Sequence, residues 1–251
     1  MIKPSNLSYM TISGWEKKYS EILSEFRYDR SKDIESAVKL NRILKKSSTK
    51  KLKELVNKKI VFVIGAGPSL SSSIPYLRKY KVTKIVADGA TTALVENRIW
   101  PDIIVTDLDG NKSSLRKTAK NGVVVAHAHG DNIDKLNMVL EFRNCFGTTE
   151  ARPFGKVYNF GGFTDGDRCV FLANHFAAKK IILFGMDFGT KIGRYSKVKI
   201  MDRDTKIKKL KYGKKLLEWL STKTNAELYT TSKPIKGFQK IQYKDLNKIV
   251  S

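Results

Sequence analysis

A change of hydrophobic period at Ile60 constrains the fold more than any other feature of this 251-residue sequence. Beyond that residue, short apolar runs alternate with stretches long enough for helices. The runs lie at 60–64, 84–87, 102–105, 123–126, 156–159 and 181–184. Because each run is apolar at consecutive positions, it predicts a strand buried on both faces, as in a parallel sheet covered by helices. We therefore expect an α/β fold: a Rossmann-like, mostly parallel sheet with helices on both faces.

Three regions are expected along the chain. Residues 1–59 carry apolar residues at helical spacing among charges, which predicts a helical N-terminal region. Residues 60–190 form the Rossmann-like catalytic core. Residues 191–251 are predicted to begin with a basic loop and to continue as a C-terminal helical region, with a last short strand at 226–230 and a terminal helix at 243–250.

The charge balance indicates anionic partners. The sequence has 48 Lys and Arg against 24 Asp and Glu, a net charge of +24 at pH 7. Such a charge attracts nucleotides, nucleic acid or anionic lipid. Lysines are concentrated at 41–59 and 191–215. We interpret the first of these runs as a solvated helical face, because lysine imposes no binding geometry of its own.

The cysteines and the apolar runs indicate in which cellular compartment the protein is expected. Cys145 and Cys169 cannot form a disulfide framework or a four-thiolate zinc site, and they lack the close spacing of a redox pair. We expect a reducing, cytoplasmic setting. No signal-type apolar core follows the first residues, and no apolar run approaches the roughly 18 residues of a membrane span. We expect no membrane partner.

Every cluster of informative residues follows a predicted strand, and ligands of open α/β sheets bind at the carboxyl ends of the strands. The first cluster is a glycine turn leading into a helix, with Gly65, Gly67, Pro68 and Ser69. Free backbone N–H groups and the helix dipole suit a phosphate there. The segment lacks the third glycine of a dinucleotide fingerprint and the Gly-Lys-Ser/Thr of a Walker loop. A phosphate loop and a plain tight turn both remain open.

Three carboxylates form the second group. Asp107 and Asp109 alternate about one residue after a predicted strand, so in extended geometry both face the same side, where Asp88 can join them. Three hard oxygen ligands suit Mg²⁺ bridging nucleotide phosphates. The alternative is that 88–89 and 109–110 are Asp-Gly turns, which leaves Asp107 unexplained.

Two of the three histidines stand in the segment His127-Ala-His129-Gly-Asp131-Asn132. Zinc binding needs further ligands, and the sequence offers no nearby cysteine. We therefore assign His129 a hydrogen-bonding or phosphate-contacting role. Asp131 is a candidate catalytic group, although Asp131 or Asn132 can equally cap the next helix.

A further strand, glycine turn and helix start contain Gly161–Gly162, Thr164 and Asp165. The two glycines allow a ligand to approach the backbone closely, and Thr164 and Asp165 are placed to bind a ligand or to cap the helix. Asp167 and Arg168, which follow them, are expected either at the site or in surface ion pairs.

Three charged residues complete the candidate site. Asp187 follows the last core strand, where it can accept a hydrogen bond from a ring N–H or amino group of a heterocycle, or cap a turn. Lys191 and Arg194, together with Lys197, are expected on a mobile loop that closes over a phosphate chain.

Read together, these segments resemble the archaeal-type 6-hydroxymethyl-7,8-dihydropterin pyrophosphokinase family. The matching segments are 63–70, 87–90, 101–110, 127–132, 160–168 and 184–187, in order along residues 60 to 190. Asp88-Gly89 and Asp107-Leu108-Asp109 also look like the metal-binding aspartates of thiamine pyrophosphokinases, whose Rossmann-like catalytic domain this family shares. The additional C-terminal β-sandwich that binds thiamine in those enzymes has no counterpart after Gly189, which argues against thiamine.

The resemblance implies transfer of the β,γ-diphosphoryl group of ATP to the hydroxymethyl oxygen of a pterin, with release of AMP. ATP is then the co-substrate and Mg²⁺ the cofactor, held by Asp88, Asp107 and Asp109. Asp131 and Asp165 are both candidates for the general base. A homo-oligomer is compatible with the sequence.

Two other functions are compatible with parts of the sequence. A nucleotide-sugar-dependent glycosyltransferase also uses Asp-X-Asp to present a metal to a nucleotide diphosphate. A nucleic-acid-binding protein fits the charge of +24. Nucleic acid is the less favoured partner because no recognised binding motif is present and the strand-end carboxylates repel a polyanion.

Overall fold

The computed structural model describes residues 11–45, 49–196 and 202–251. In these residues the chain forms one nine-stranded sheet in which every pairing is parallel. Helices cover both faces of the sheet, so the predicted Rossmann-like α/β fold is confirmed. Residues 1–10, 46–48 and Lys197, which the sequence analysis placed in the helical region and the basic loop, lie outside the described residues.

Seven of the nine strands in the described residues coincide with the segments predicted from the sequence, and Cys145–Thr149 and Gln239–Lys240 were not predicted. They are β1 (Ile60–Ile64), β2 (Thr83–Ala87), β3 (Ile103–Thr106), β4 (Val123–Ala128), β5 (Cys145–Thr149), β6 (Val157–Tyr158), β7 (Lys180–Phe184), β8 (Glu227–Thr230) and β9 (Gln239–Lys240). The strand order in the sheet is β6-β5-β4-β3-β2-β1-β7-β8-β9. The C-terminal region therefore adds β8 and β9 to the same sheet.

The helices occupy the connections. They are α1 (Trp15–Phe26), α2 (Arg30–Ile43), α3 (Lys50–Val56), α4 (Leu70–Lys79), α5 (Asp88–Glu96), α6 (Lys112–Ala119), α7 (Asp165–His175), α8 (Arg203–Leu220) and α9 (Leu246–Val250), with 3-10 helices at Gly130–Glu141 and Tyr243–Asp245. Helices α1, α2 and α3 confirm the predicted helical N-terminal region within the described residues 11–45 and 49–59, and α8 follows the basic loop. None of the helices in the described ranges is both long enough and apolar enough to span a bilayer.

The consecutive apolar residues of β1 serve both faces of the sheet. Val61 and Val63 pack into the core formed with α1, α7 and α8, whereas Phe62 and Ile64 pack into the core formed with α4 and α5. Successive side chains of a strand point to opposite faces, so a strand covered on both sides must be apolar throughout. This is why the uninterrupted runs were readable as strands.

The sequence analysis missed β5, which lies between β4 and β6. Its sequence, Cys-Phe-Gly-Thr-Thr, has no apolar run to mark it. Gly147 permits α2 to approach the strand, because a Cβ there would stand 2.4 Å from Leu44 Cδ1 and 2.9 Å from Leu40 Cδ2. Tertiary packing on α2 therefore stabilises a strand that local preference does not predict.

The sheet reverses its direction of strand addition at β1, which lies between β2 on one side and β7 on the other. Connections that run in opposite directions from this point leave a crevice at the carboxyl ends of β1 and β7. Such a switch point is the usual ligand position in doubly wound sheets. The fold thus places the segments after these strands beside the candidate site.

Candidate functional site

A cleft opens along the carboxyl ends of the central strands. Its lining includes many of the residues singled out from the sequence: Gly65, Gly67, Pro68, Asp107, His129, Asp131, Thr164, Asp165, Asp187 and Lys191. Of the remaining candidates, Ser69, Asp88, Asp109, Gly161, Gly162 and Arg194 are described but do not line it. The predicted strand-end clusters therefore converge on one cleft, with some members behind its surface.

Three carboxylates meet at this edge of the sheet. Ligand oxygens of Asp88, Asp107 and Asp165 lie within 4.8 Å of one another. They come from the first residue of α5, from the segment after β3 and from the first residue of α7. Carboxylate oxygens grouped in this way suit a hard divalent cation such as Mg²⁺, whose charge offsets their mutual repulsion. The donor set fits the expected metal.

The third member of this cluster differs from the one expected. β3 ends at Thr106, and Leu108 has a φ of 65° with its side chain buried. The expectation of extended geometry across Asp107 and Asp109 is therefore wrong, because burying Leu108 turns the chain. Asp165 stands in the cluster in place of Asp109.

Hydrogen bonds fix the orientation of the Asp88 carboxylate. Thr106 Oγ1 donates to Asp88 Oδ2 at 2.5 Å, and the Gly110 N–H donates to the same oxygen at 3.1 Å. A Cβ at Gly110 would stand 2.4 Å from Asp88 Oδ1, so the turn after Asp109 needs glycine at this position. Oriented carboxylates bind a metal with less loss of entropy than mobile ones.

His129 and Asn132 cap the 3-10 helix after β4. Asn132 Oδ1 accepts from the His129 N–H at 3.1 Å, and Asn132 Nδ2 donates to the backbone oxygens of His127 at 2.7 Å and Asp107 at 2.8 Å. His129 Nδ1 accepts from the Asp131 N–H at 3.3 Å. His129 Nε2 faces Asp107 Oδ2 at 3.7 Å. Of the predicted caps, Asn132 fills that role, while Asp131 keeps an exposed carboxylate on the cleft.

A buried ionic network lies beside the carboxylate cluster, and the sequence analysis did not find it. Glu150, the residue after β5, is 4% exposed. Its Oε1 accepts from Arg168 Nη2, and Arg168 Nη1 donates to Asp165 Oδ1 at 3.2 Å. Arg168 thus joins Glu150 to the candidate metal ligands. The sequence signal for Glu150 is absent because β5 itself was not recognised.

Electrostatics keep Glu150 ionised. Burial by itself raises its pKa, but the Arg168 charge and then His127 outweigh burial and lower the pKa to about 2. His127 Nε2 lies 3.5 Å from Glu150 Oε1, and its Nδ1 lies 3.0 Å from Thr148 Oγ1. Burial, followed by the Arg168 charge, lowers the pKa of His127 to about 4, so the imidazole is neutral at pH 7. We assign its proton to Nε2, facing the carboxylate.

Asp167 and Arg168 are both buried, so the alternative of surface ion pairs is wrong for them. Asp167 accepts from the Phe163 N–H at 2.7 Å and from the Thr164 N–H at 2.8 Å, and Thr164 is the N-cap of α7. Gly161–Gly162 have φ of 89° and 93°, and a Cβ on either would collide with protein atoms of α7. Because these glycines have no side chain, α7 can pack closely against the segment that contains them.

The glycine turn after β1 also packs against protein. A Cβ at Gly67 would stand 2.3 Å from Asp187 Oδ2 and 2.5 Å from the Gly185 oxygen. Asp187 Oδ2 accepts from the Ser69 N–H at 2.9 Å and from Ser69 Oγ at 3.0 Å. A carboxylate therefore already occupies the anion position at the start of α4. Close packing of the two loops accounts for the glycines, and Asp187 acts as the turn cap that was its alternative role.

Several further lining residues carried little signal in the sequence. They are Tyr28, Asp33, Phe163, Phe188, Lys206 and Lys209. The two lysines belong to the basic stretch, and Phe163 and Phe188 stand in the motifs around Gly161–Gly162 and Asp187, whereas nothing in the local pattern marked Tyr28 and Asp33. Arg194 lies over the Tyr195 ring, 5.4 Å from its centroid. Asp33, from α2, accepts from Tyr19 Oη at 2.6 Å and from the Gly130 N–H at 2.8 Å, which ties the N-terminal helices to the His129 loop.

A parallel sheet with a switch point, a carboxylate cluster at its strand ends and lysines around the same cleft define a Rossmann-like α/β protein equipped for phosphorylated ligands. The protein-family model described as 6-hydroxymethylpterin diphosphokinase MptE-like matches residues 35–193. The chain therefore belongs to this family of enzymes.

Relatives that carry the same kind of name cover most of the chain. A 6-hydroxymethyl-7,8-dihydropterin pyrophosphokinase of Methanocaldococcus jannaschii is 44% identical over 87% of this chain and 99% of its own length. Its counterpart in Pyrococcus furiosus is 43% identical over 85% of this chain and 96% of its own length. The counterpart in Methanothermobacter thermautotrophicus is 43% identical over 84% and 95%. The family resemblance seen in the sequence is confirmed.

The fold also resembles that of the MAf glycosyltransferase from Magnetospirillum magneticum AMB-1, with a TM-score of 0.56 and 13% identity. The match covers 84% of this chain but only 39% of that longer protein. At this identity the likeness concerns the fold alone.

Proposed function

We propose that the protein transfers diphosphate from ATP to the hydroxymethyl group of 6-hydroxymethyl-7,8-dihydropterin and releases AMP, in a Mg²⁺-dependent reaction. The observation that carries the proposal is the match to relatives of that name along 95% or more of their length. The carboxylate cluster in the cleft supports the metal. The free, buried thiols of Cys145 and Cys169 fit the reducing cytoplasm that we propose as the compartment.

Asp88, Asp107 and Asp165 are the residues that would hold Mg²⁺. A Mg²⁺ ion held by them would supply charge neutralisation and polarisation of phosphoryl oxygens. Asp88 is oriented by Thr106 and Gly110, and Asp165 is oriented by Arg168. The protein's contribution to such a transfer is mainly positioning and electrostatics, since no covalent nucleophile is required.

The chain's own cations would bind the phosphates. Lys191, Lys206 and Lys209 line the cleft and come from the loop after β7 and from α8. Their charges offset those of the cleft carboxylates and of a triphosphate. Of the two candidate bases, Asp165 belongs to the carboxylate cluster, so we propose Asp131 as the group that receives the hydroxymethyl proton. Its carboxylate is exposed in the cleft, next to His129.

The experiment that tests the function is an incubation with Mg²⁺, ATP and 6-hydroxymethyl-7,8-dihydropterin, followed by separation of the nucleotides. We expect AMP, and only when pterin is present. ADP formation, or AMP formation that does not depend on pterin, contradicts the proposal. Turnover with a nucleotide sugar in place of ATP would favour the glycosyltransferase alternative, and tight salt-sensitive binding of nucleic acid without turnover would favour the other alternative.

Variants test the metal site. Asp107→Asn removes a charged ligand, so we expect a fall in kcat of at least about a hundredfold. Asp134→Asn, an exposed aspartate of the 3-10 helix after β4, is the matched control and is expected to retain activity. Retention of full activity by Asp107→Asn would contradict the assignment.

The choice between Asp165 and Asp109 is tested by direct ion binding. We expect Asp165→Asn to weaken Mn²⁺ binding, measured as free Mn²⁺ by electron paramagnetic resonance, by about tenfold or more. Asp109→Asn is expected to have a smaller effect, because Asp109 is not part of the cluster. A larger effect of Asp109→Asn than of Asp165→Asn would instead support the metal ligands expected from the sequence, Asp88, Asp107 and Asp109.

A further inference from the structure

Four residues that line the cleft form what we call the aromatic part: Tyr28, Phe163 and Lys209, which contact one another, and Glu150, which pairs with Arg168 of α7, the helix that Phe163 precedes. Tyr28 lies in the turn between α1 and α2, and Phe163 lies just before α7. Their ring centroids are 6.4 Å apart, and the ring planes are inclined by 48°. Phe26 packs against Phe163, with a centroid distance of 4.8 Å. Phe163 is buried and Tyr28 is partly exposed, so the rings form a supported apolar wall on which a flat ligand can stack at Tyr28.

A lysine from α8 crosses this wall. Lys209 Nζ lies 5.2 Å from the Tyr28 ring centroid and 5.7 Å from that of Phe163. The ammonium group therefore stands beside the apolar surface and lines the same cleft. A flat ligand stacked on this wall would therefore have a positive charge beside it.

Glu150 gives the aromatic part a hydrogen-bonding preference. It is buried, it lines the cleft, and the nearby Arg168 keeps it ionised. An ionised carboxylate has only acceptor oxygens. A ligand edge that faces an oxygen of Glu150 not taken by Arg168 is therefore expected to present an N–H donor, because an acceptor there would meet the lone pairs of the carboxylate.

The two heterocycles of the proposed reaction differ at this edge. The 2-amino-4-oxopyrimidine ring of a pterin presents two adjacent donors, the ring N3–H and the 2-amino group, which match a carboxylate in pairs. Adenine presents an amino donor next to the N1 acceptor, so one of its two groups faces a carboxylate with the wrong polarity. Charge and hydrogen-bond polarity at Glu150 thus favour the pterin over the nucleotide base.

We infer that the aromatic part of the cleft is the pterin subsite, with the ring stacked on Tyr28, which Phe163 supports from behind, and its donor edge on Glu150. The inference rests on the proposed function. Tyr28 and Lys209 lie outside residues 35–193, so the N-terminal helices and α8 complete a subsite that the family-matched region only begins. The nucleotide then occupies the cleft beside the glycine turns after β1 and β7.

Steady-state kinetics with both substrates varied test the subsite. A leucine cannot stack on a heterocycle as the tyrosine ring does, so we expect Tyr28→Leu to raise the KM for the pterin about tenfold. The KM for ATP is expected to stay within about twofold, with kcat little changed. Tyr76→Leu is the matched control: Tyr76 stacks on Tyr243 at 4.2 Å, away from the cleft lining. An effect on the KM for ATP alone overturns the inference.

Glu150→Gln tests the donor preference. The amide is expected to raise the KM for the pterin by about a hundredfold, because a donor of the pterin then faces the N–H group of the amide and not an acceptor oxygen. Thermal unfolding of this variant checks that it folds, and Tyr28→Leu tests the subsite independently if it does not.

Direct binding separates this inference from the proposed function. Quenching of pterin fluorescence is measured with the wild-type protein and with Tyr28→Leu, without ATP. Pterin-dependent AMP release by both proteins with equal pterin KM overturns the subsite and leaves the function standing. Pterin binding that is weakened by Tyr28→Leu, without any AMP release in the wild type, overturns the function and supports the subsite. Absence of pterin binding overturns both.

Discussion

The cleft has two parts that differ in the residues that form them and in how clearly the sequence marks those residues. The switch-point part, formed by Gly65–Pro68 and Gly185–Asp187, is rich in glycine motifs that stand out in the sequence. There a Cβ on Gly67 would collide with Asp187, and Asp187 already accepts from Ser69. In the aromatic part only Phe163 belongs to a sequence motif, yet this part contains a buried carboxylate and the aromatic wall. Conspicuous glycines therefore indicate close approach of backbones, whether the neighbour is a ligand or another loop.

The two parts also differ in how they are stabilised. The switch-point part depends on close packing of two loops and on neutral donors to one carboxylate. The aromatic part depends on desolvated charges that must remain paired, namely Glu150, Arg168 and Asp165. Removing one partner of a buried pair leaves an uncompensated charge, so this part is expected to tolerate substitution less well.

The largest effect on stability is expected for Arg168→Met. The variant leaves Glu150 buried without its main cation, and we expect the free energy of unfolding to fall by about 3–5 kcal/mol in urea denaturation. Arg116→Met is the control, because Arg116 pairs with Glu141 at 2.6 Å in an exposed position, where water screens the pair and its loss is expected to change stability little. Equal losses in the two variants would contradict the contrast between the parts.

We expect acid to lower the stability of the folded protein through protonation of His127. Its pKa is about 4 in the folded protein and near 6.5 in the unfolded chain. The unfolded chain therefore binds the extra proton between these values, and stability falls as pH decreases through that window. We expect His127 to account for a loss of about 2 kcal/mol between pH 7 and pH 5. Urea unfolding of wild type and His127→Gln at both pH values measures this share, and parallel pH profiles would refute it.

In the switch-point part, Gly67→Ala is expected to cost about 1–3 kcal/mol of stability. The added methyl group would meet the Gly185 backbone oxygen at 2.5 Å, and a backbone cannot easily move aside. Gly189→Ala is the matched control, because the nearest atom to its added carbon is the flexible end of Lys233, at 3.0 Å. A stable Gly67→Ala protein would show that the glycine is there for a ligand instead.

The smallest effect is expected for Ser69→Ala. It removes the hydroxyl contacts with Asp187 and Ser232, both at 3.0 Å, but keeps the Ser69 N–H bond, so we expect a loss of about 1 kcal/mol. Ser71→Ala, at an exposed position of the same helix, is expected to change stability by less than about 0.5 kcal/mol. Thermal unfolding of the two variants makes the comparison, and an indistinguishable pair would argue against Asp187 as the cap of α4.

The sequence predicted some residues of the candidate site and missed others. Residues directly after β1, β3, β4 and β7 were expected at one edge because parallel strands end together, and Asp107, His129 and Asp187 do line the cleft. The pairing of Asp107 with Asp109 failed because it assumed a continuation of the strand. Glu150 was missed because its strand, β5, is recognisable only through its packing on α2.

The sequence by itself determined the α/β class and the cleft edge, because a strand buried on both faces shows as an uninterrupted apolar run, and helix-length segments between such runs indicate parallel strands. Only the tertiary structure decided which side chains meet there. Asp165 joins Asp88 and Asp107 because α7 begins beside their strands, and Tyr28 reaches Phe163 because α1 packs on the sheet core. Convergence of residues distant in sequence depends on how helices cross the sheet, and no local period encodes that geometry.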